Sequence, residues 1–163
     1  MAAACEAAGA TFLAQSAEEA EGELLLGARR LALPALERLG STLLDDVGVP
    51  LARIPELLSA VERIAGQHGV LIGTFGHAGD GNMHPTIVFD RDDPEAVTRA
   101  QLAFDDILRV VDELGGTITG EHGVGLLKRP YLARQLGPQA MKLHLSIKTA
   151  LDPLGILNPG KLL

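Results

Sequence analysis

The sequence predicts an α+β fold: an antiparallel sheet with helices packed on one face, followed by a helical segment toward the C-terminus. Short β-compatible stretches alternate with amphipathic helical stretches, which is the first observation behind that prediction. The second is a glycine-rich turn, GHAGDGNMH at 76–84, joining two apolar stretches as a hairpin. The third is content and length. Hydrophobic residues make up 47% of 163 positions, enough for one domain with a real core and too few for two ordinary ones.

Taken in order, TFLAQSA at 11–17 is short and β-compatible. Residues 18–38 are rich in Glu, Leu and Arg and read as helix, with Pro34 forcing a kink or a restart. LLDDVGVP at 43–50 is a second strand, ended by Pro50. From Pro55 to Gly66 the pattern is helical, with Ile54, Leu57, Leu58, Val61, Ile64 and Ala65 on one face. VLIGTFG at 70–76 and HPTIVFD at 84–90 are strands flanking the glycine-rich turn. Asp93 is an N-cap and Pro94 the first residue of a long helix. Val97, Ala100, Phe104, Ile107, Val111 and Leu114 form its buried stripe, and Gly115–Gly116 end it. TITG at 117–120 is a brief strand, helices follow near 125–135 and 138–151, and LDPLGILNPGKLL closes the chain as a loop.

Composition narrows the function. A net charge of −7 and a pI near 5.1 exclude a nucleic-acid partner, which needs clustered Lys and Arg. No apolar run is long enough to span a bilayer. The first residues, MAAACEAAGA, lack a basic segment and do not read as a signal peptide. A single cysteine, Cys5, permits no internal disulfide and points to a reducing cytoplasm.

The chemistry concentrates in two stretches. With Asp80–Gly81 at the centre of a tight turn, His77 pairs with His84 across the hairpin. Directly opposed residues share a face, with Cβ atoms roughly 4.5–5.5 Å apart, close enough for two imidazoles to chelate one ion. With Gly81–Asn82 central instead, His77 faces Thr86, and a surface hairpin with two solvated histidines is the alternative reading. GGTITGEHGVG at 115–125 supplies Glu121 as a candidate third ligand, with Gly120 and Gly123 free to distort the backbone around it. His77, His84 and Glu121 make a two-histidine, one-carboxylate set that leaves positions open for substrate. His122 is left for proton transfer, a role that needs neutral imidazole. His68 reads as a helix C-terminal cap and His144 as a solvated helix residue.

GHAGDGNMHP, GGTITGEHGVG and LDPLGILNPGKLL, in this order and spacing, resemble the C-terminal domain of FAD-linked oxidases of the vanillyl-alcohol-oxidase type. That family includes the glycolate oxidase flavoprotein subunit, D-lactate dehydrogenase and D-2-hydroxyglutarate dehydrogenase. The resemblance covers nearly the whole chain, so residues 1–163 are expected to form one substrate- and metal-binding cap domain with a ferredoxin-like sheet. It implies oxidation of a small 2-hydroxy acid, with FAD held mainly by a flavin-binding domain or subunit that this chain lacks. It assigns a divalent metal, zinc or similar, to His77, His84 and Glu121, and makes His122 the base for the substrate hydroxyl. Arg29 matches an arginine that clamps the substrate carboxylate, while Asn158 and Lys161 match a tail packed near the flavin. Leu26 replaces a tryptophan common in the family, and Leu44 stands where some members carry lysine. Two rivals remain: a non-catalytic interaction module that forms oligomers through an exposed apolar face, and a stand-alone metallohydrolase, ranked last because no helical HExxH is present.

Overall fold

The computed structural model describes residues 2–161 and 163. They divide into two compact units, Met1–Leu39 and Gly40–Leu163. The first unit holds α1 (Ala2–Ala7), α2 (Glu19–Arg30) and α3 (Ala32–Glu37). The expected helix at 18–38 breaks at Leu31 and restarts at Ala32. Pro34 thereby falls in the first turn of α3, where its missing N–H costs no hydrogen bond. Residues 11–17, expected as a strand, form none. No neighbouring strand among the described residues pairs with them, and an extended segment without a partner leaves its backbone groups to water.

The second unit contains β1 (Ser41–Leu44), β2 (Val47–Gly48), α4 (Ile54–His68), β3 (Leu71–His77), β4 (Asn82–Phe89), α5 (Pro94–Glu113) and α6 (Gly125–Leu151). Its sheet is antiparallel, with β4 paired to β3 on one side and to both β1 and β2 on the other. Thr117 adds a single bridge to Gly48 at the far edge. The strand expected at 117–120 is therefore one paired residue, because the chain turns away at once to bond Asp46 instead.

Helix boundaries follow local chemistry. The Asp93 side chain accepts the Glu95 N–H at 2.9 Å and Pro94 opens α5, as the capping pattern requires. Gly69 closes α4 at φ 62, ψ 42, a left-handed conformation that glycine adopts without strain. Gly137 breaks α6 with φ 73 and ψ 170, so the segment is two helices in series, as expected.

Helices α4 and α5 pack on each other and on one face of the sheet. Val47, Leu57, Ile87, Ile107 and Val111 are fully buried between these layers. Along β4, odd-numbered Met83 and Ile87 join this core. Alternation then sends Asn82, His84 and Thr86 to the opposite face, and all three are buried too.

Candidate functional site

Four segments of the second unit converge on that opposite face. In the β3–β4 hairpin His77 pairs with Asn82 and Phe75 with His84. Neither expected register is correct: residues 78–81 form a longer turn in which Gly81, at φ 82, approaches the Val49 carbonyl. An added Cβ on Gly81 would lie 2.1 Å from that oxygen, so close approach of the backbone sets the register. The shift still leaves His77 and His84 diagonal on one face, because strand residues two apart point the same way. Their ring centroids are 5.8 Å apart, edge to face.

The turn at 119–122 brings the other two groups. Glu121 Oε1 lies 3.5 Å from His77 Nε2, 3.3 Å from His84 Nε2 and 3.6 Å from His122 Nε2. One carboxylate oxygen is thus the hub of three imidazoles. The His122 ring stacks on His84 with centroids 5.0 Å apart. Gly120 is required here: an added Cβ would fall 2.2 Å from the Asn82 side-chain oxygen. Gly123, at φ 81, lets the chain leave the turn and enter α6.

Asp46, absent from the sequence-based candidates, organises this turn. Its Oδ2 accepts from the Thr119 hydroxyl at 3.0 Å and from the N–H groups of Gly120, Glu121 and His122 at 2.9, 3.1 and 2.9 Å. Burial opposes its charge, but the backbone N–H bonds from His122 and Glu121, with Thr119 and Gly120, outweigh it and hold the carboxyl down at about 2. Neighbouring Asp45 is pushed the other way, up to about 6, by burial that its contact with Lys128 only partly offsets. Lys128 is itself buried, 3.0 Å from Asp45 Oδ1, and donates to the Asp46 carbonyl. The sequence did hold a signal: LLDDVGVP sets two adjacent carboxylates among apolar strand residues, where acids are almost never fully buried without a partner.

His84 is shifted downward by burial, with Asp46 and Glu121 pulling against it. That direction favours neutral imidazole, the form with a free lone pair. The site fits a divalent cation by its donor chemistry. His77, His84 and Glu121 each offer a ligand atom, all within 4.8 Å of one another. Two ligands at about 2.05 Å from a tetrahedral ion sit about 3.3–3.4 Å apart, and the His84–Glu121 and His77–Glu121 separations of 3.3 and 3.5 Å match that edge.

Asn158 and Lys161 line a cleft of about 450 Å³ together with His122, Gly123, Lys148 and Leu157. Arg29 belongs to the first unit, on α2 and exposed. His68, expected as a helix cap, does not cap: its ring bonds Asp106 of α5 at 2.8 Å while Gly69 closes the helix. His144 is exposed on α6 and its ring bonds the Ala140 carbonyl of its own helix.

A sheet with a histidine-rich polar face and a clamped Gly-Glu-His-Gly turn thus gathers three imidazoles around one carboxylate. Residues 1–162 match the family model for FAD linked oxidases, C-terminal domain, and the chain belongs to that family. It is 44% identical over 97% of its length to the glycolate oxidase subunit GlcD of Bacillus subtilis (strain 168), covering 34% of that protein. With GlcD of Escherichia coli (strain K12) it shares 36% identity over 94% of its length, covering 31% of that protein. A D-lactate dehydrogenase of Anaerostipes hadrus is 39% identical over 82% of this chain, 29% of its own length. The chain therefore spans about a third of the length of the relatives it matches. No helix among the described residues is long and apolar enough to cross a membrane.

Proposed function

We propose that this chain is the C-terminal substrate- and metal-binding part of an FAD-dependent oxidoreductase that converts a 2-hydroxy acid of the glycolate or D-lactate type to the 2-oxo acid. The observation that carries the reading is Glu121 Oε1 held 3.3–3.6 Å from three imidazole nitrogens. His77, His84 and Glu121 hold a divalent cation, zinc or similar, whose charge makes a bound 2-hydroxyl more acidic. His122, half exposed beside this set, takes the hydroxyl proton on its ring nitrogen. Stacking on His84 fixes the plane of that ring, so the proton acceptor is oriented before substrate arrives. FAD, when bound, supplies the two-electron acceptor for the hydrogen on the substrate α-carbon. The family resemblance makes Arg29 the candidate for the substrate carboxylate, a role its planar fork of donors suits, and Asn158 and Lys161, the candidates for flavin contact, line the cleft beside His122.

The flavin is held by another domain or subunit, and the exposed apolar side chains of α6, among them Leu143, Leu145 and Ile147, fit docking against such a partner. The same surface favours homo-oligomers of the lone chain, and the single free Cys5 suits the cytoplasm.

The test measures metal and ligand on the isolated chain. Elemental analysis should find about one divalent ion per chain, lost in His77→Ala and in His84→Ala. Calorimetry on the zinc-loaded chain should show glycolate or D-lactate binding more tightly than acetate or propionate. Metal retained in His84→Ala would sink the ligand assignment. Equal binding of hydroxy and non-hydroxy acids would sink the substrate class.

A further inference from the structure

The β1–β4 and β2–β4 pairings keep one register, with Leu44 opposite Thr86 and Val47 opposite Met83. Asp45 and Asp46 fill the gap between them, so Asp46 stands opposite His84 and Asp45 opposite Pro85. Pro85 has no N–H to donate, which explains why the ladder is interrupted there. Asp45 N–H still bonds the Pro85 carbonyl at 2.8 Å, so the gap stays fastened to β4. Directly opposed residues share a face, and Asp46 Oδ1 does lie 3.7 Å from His84 Nδ1. That nitrogen is buried with no hydrogen-bond partner. Closing the gap to an ordinary hydrogen bond takes less than about 1 Å.

We propose that Asp46 is the positioning residue of this site. Its Oδ2 fixes the 119–122 backbone, and its Oδ1 orients His84 so that Nδ1 carries the proton and Nε2 presents its lone pair beside Glu121. The inference rests on the cation reading of the preceding section. Asp46 also falls within ligand distance of His84 and His122, but direct ligation is disfavoured. Four donors converge on its Oδ2, and Oδ1 already accepts the Glu121 N–H at 3.2 Å. A carboxylate spent on amides has little left for an ion. A carboxylate that takes the second N–H of a ligating histidine fixes the ring and raises its basicity.

Three measurements on the full chain test this. Zinc affinity, by competition with a chromophoric chelator, should fall about 10–100-fold in Asp46→Asn. The visible spectrum of the cobalt(II)-loaded protein should change with it. Amide hydrogen exchange at Gly120, Glu121 and His122 should speed up in Asp46→Asn without metal present, because a neutral amide oxygen accepts more weakly than a carboxylate and its NH2 group replaces Oδ1. Ring ¹⁵N shifts should report His84 protonated at Nδ1 in the wild-type chain. If Asp46→Asn does not fold, Thr119→Val removes one donor alone and should weaken zinc by a few-fold in the same direction. Unchanged affinity and cobalt spectrum in a folded Asp46→Asn would overturn the proposal while leaving the cation site standing. A wild-type chain that binds no metal would remove the cation reading, and the exchange and ¹⁵N measurements would then decide Asp46 by themselves. A wild-type His84 protonated at Nε2 would overturn its half of the proposal.

Discussion

The two faces of one sheet in this molecule are buried to the same depth and do opposite work. On the helix-covered face, the side chains of Val47 and Ile87 meet those of Leu57, Ile107 and Val111, none of which carries a polar atom. On the other, Asn82, His84 and Thr86 alternate with them along the same strand and bury polar atoms, of which Asn82 Oδ1 and His84 Nδ1 have no partner. The apolar face gains free energy with every side chain it buries. The polar face pays desolvation for each group it hides and recovers it only where partners exist. Two-residue alternation lets one strand carry both, so the site is held rigid by the core directly behind it.

If that division is real, damage to one face should leave the other intact. The largest effect is expected from Ile107→Ala, at a fully buried position on α5. Loss of the buried methylenes and the cavity left behind should cost about 3–4 kcal/mol, read by urea denaturation. Zinc affinity of the fraction that remains folded should be unchanged, since Ile107 touches the face without the histidines. Affinity falling in step with stability would mean that the two faces are one unit and would break the comparison.

The buried carboxylate between β1 and β2, Asp45, gives the fold a signature in pH that its apolar side chains cannot have. Burial raises Asp45 from the ordinary carboxylate value to about 6. In that window the folded chain holds a proton that the unfolded chain has released, so stability falls as pH rises from about 4 to about 6 and is level above. The full swing for one such group is about 3 kcal/mol. Asp152, whose carboxyl is lowered by Lys148, and Asp106, lowered by His68, slope the opposite way: their contributions are present above the ordinary carboxylate value and lost as pH falls through it. The difference between wild type and Asp45→Asn isolates the Asp45 term. It should change by about 2 kcal/mol between pH 4 and 6 and by about 3 kcal/mol over the whole titration; a flat difference would mean that Lys128 fully compensates the buried charge.

Much of the helix-covered face was legible in the sequence because it depends on periodicity. Asp93, Pro94 and Gly115 mark the ends of α5 closely, and the stripe from Ala100 to Val111 is the buried one. The polar face was legible only in part. His77, His84, Glu121 and His122 were singled out by residue type and glycine context, and they do converge. The turn joining the two histidine strands was not legible, since Val49, distant in sequence, fixes it through its carbonyl against Gly81. Asp46 was missed for a related reason. Its role lies in accepting four donors more than seventy positions away, which no local pattern encodes. The strand expected at 11–17 failed likewise, because a strand is defined by its partner rather than by its own residues.

The smallest expected effect bears most directly on what the polar face is for. If His84 serves chemistry, its buried Nδ1, 3.7 Å from Asp46 Oδ1 and so short of a full hydrogen bond, is a standing cost to the apo fold, on the order of 1 kcal/mol. His84→Leu removes that atom at similar volume and places an apolar side chain beside Phe75, whose ring now lies 5.6 Å from the imidazole. The variant should be equal to wild type or more stable by about 1 kcal/mol in the absence of metal, measured by chemical denaturation with chelator present. With saturating zinc the order should reverse, because only the wild-type chain gains the binding free energy of an ion that prefers the folded state. A His84→Leu variant clearly weaker than apo wild type would show instead that the imidazole earns its place by packing, and that the two faces of the sheet differ less than their chemistry implies.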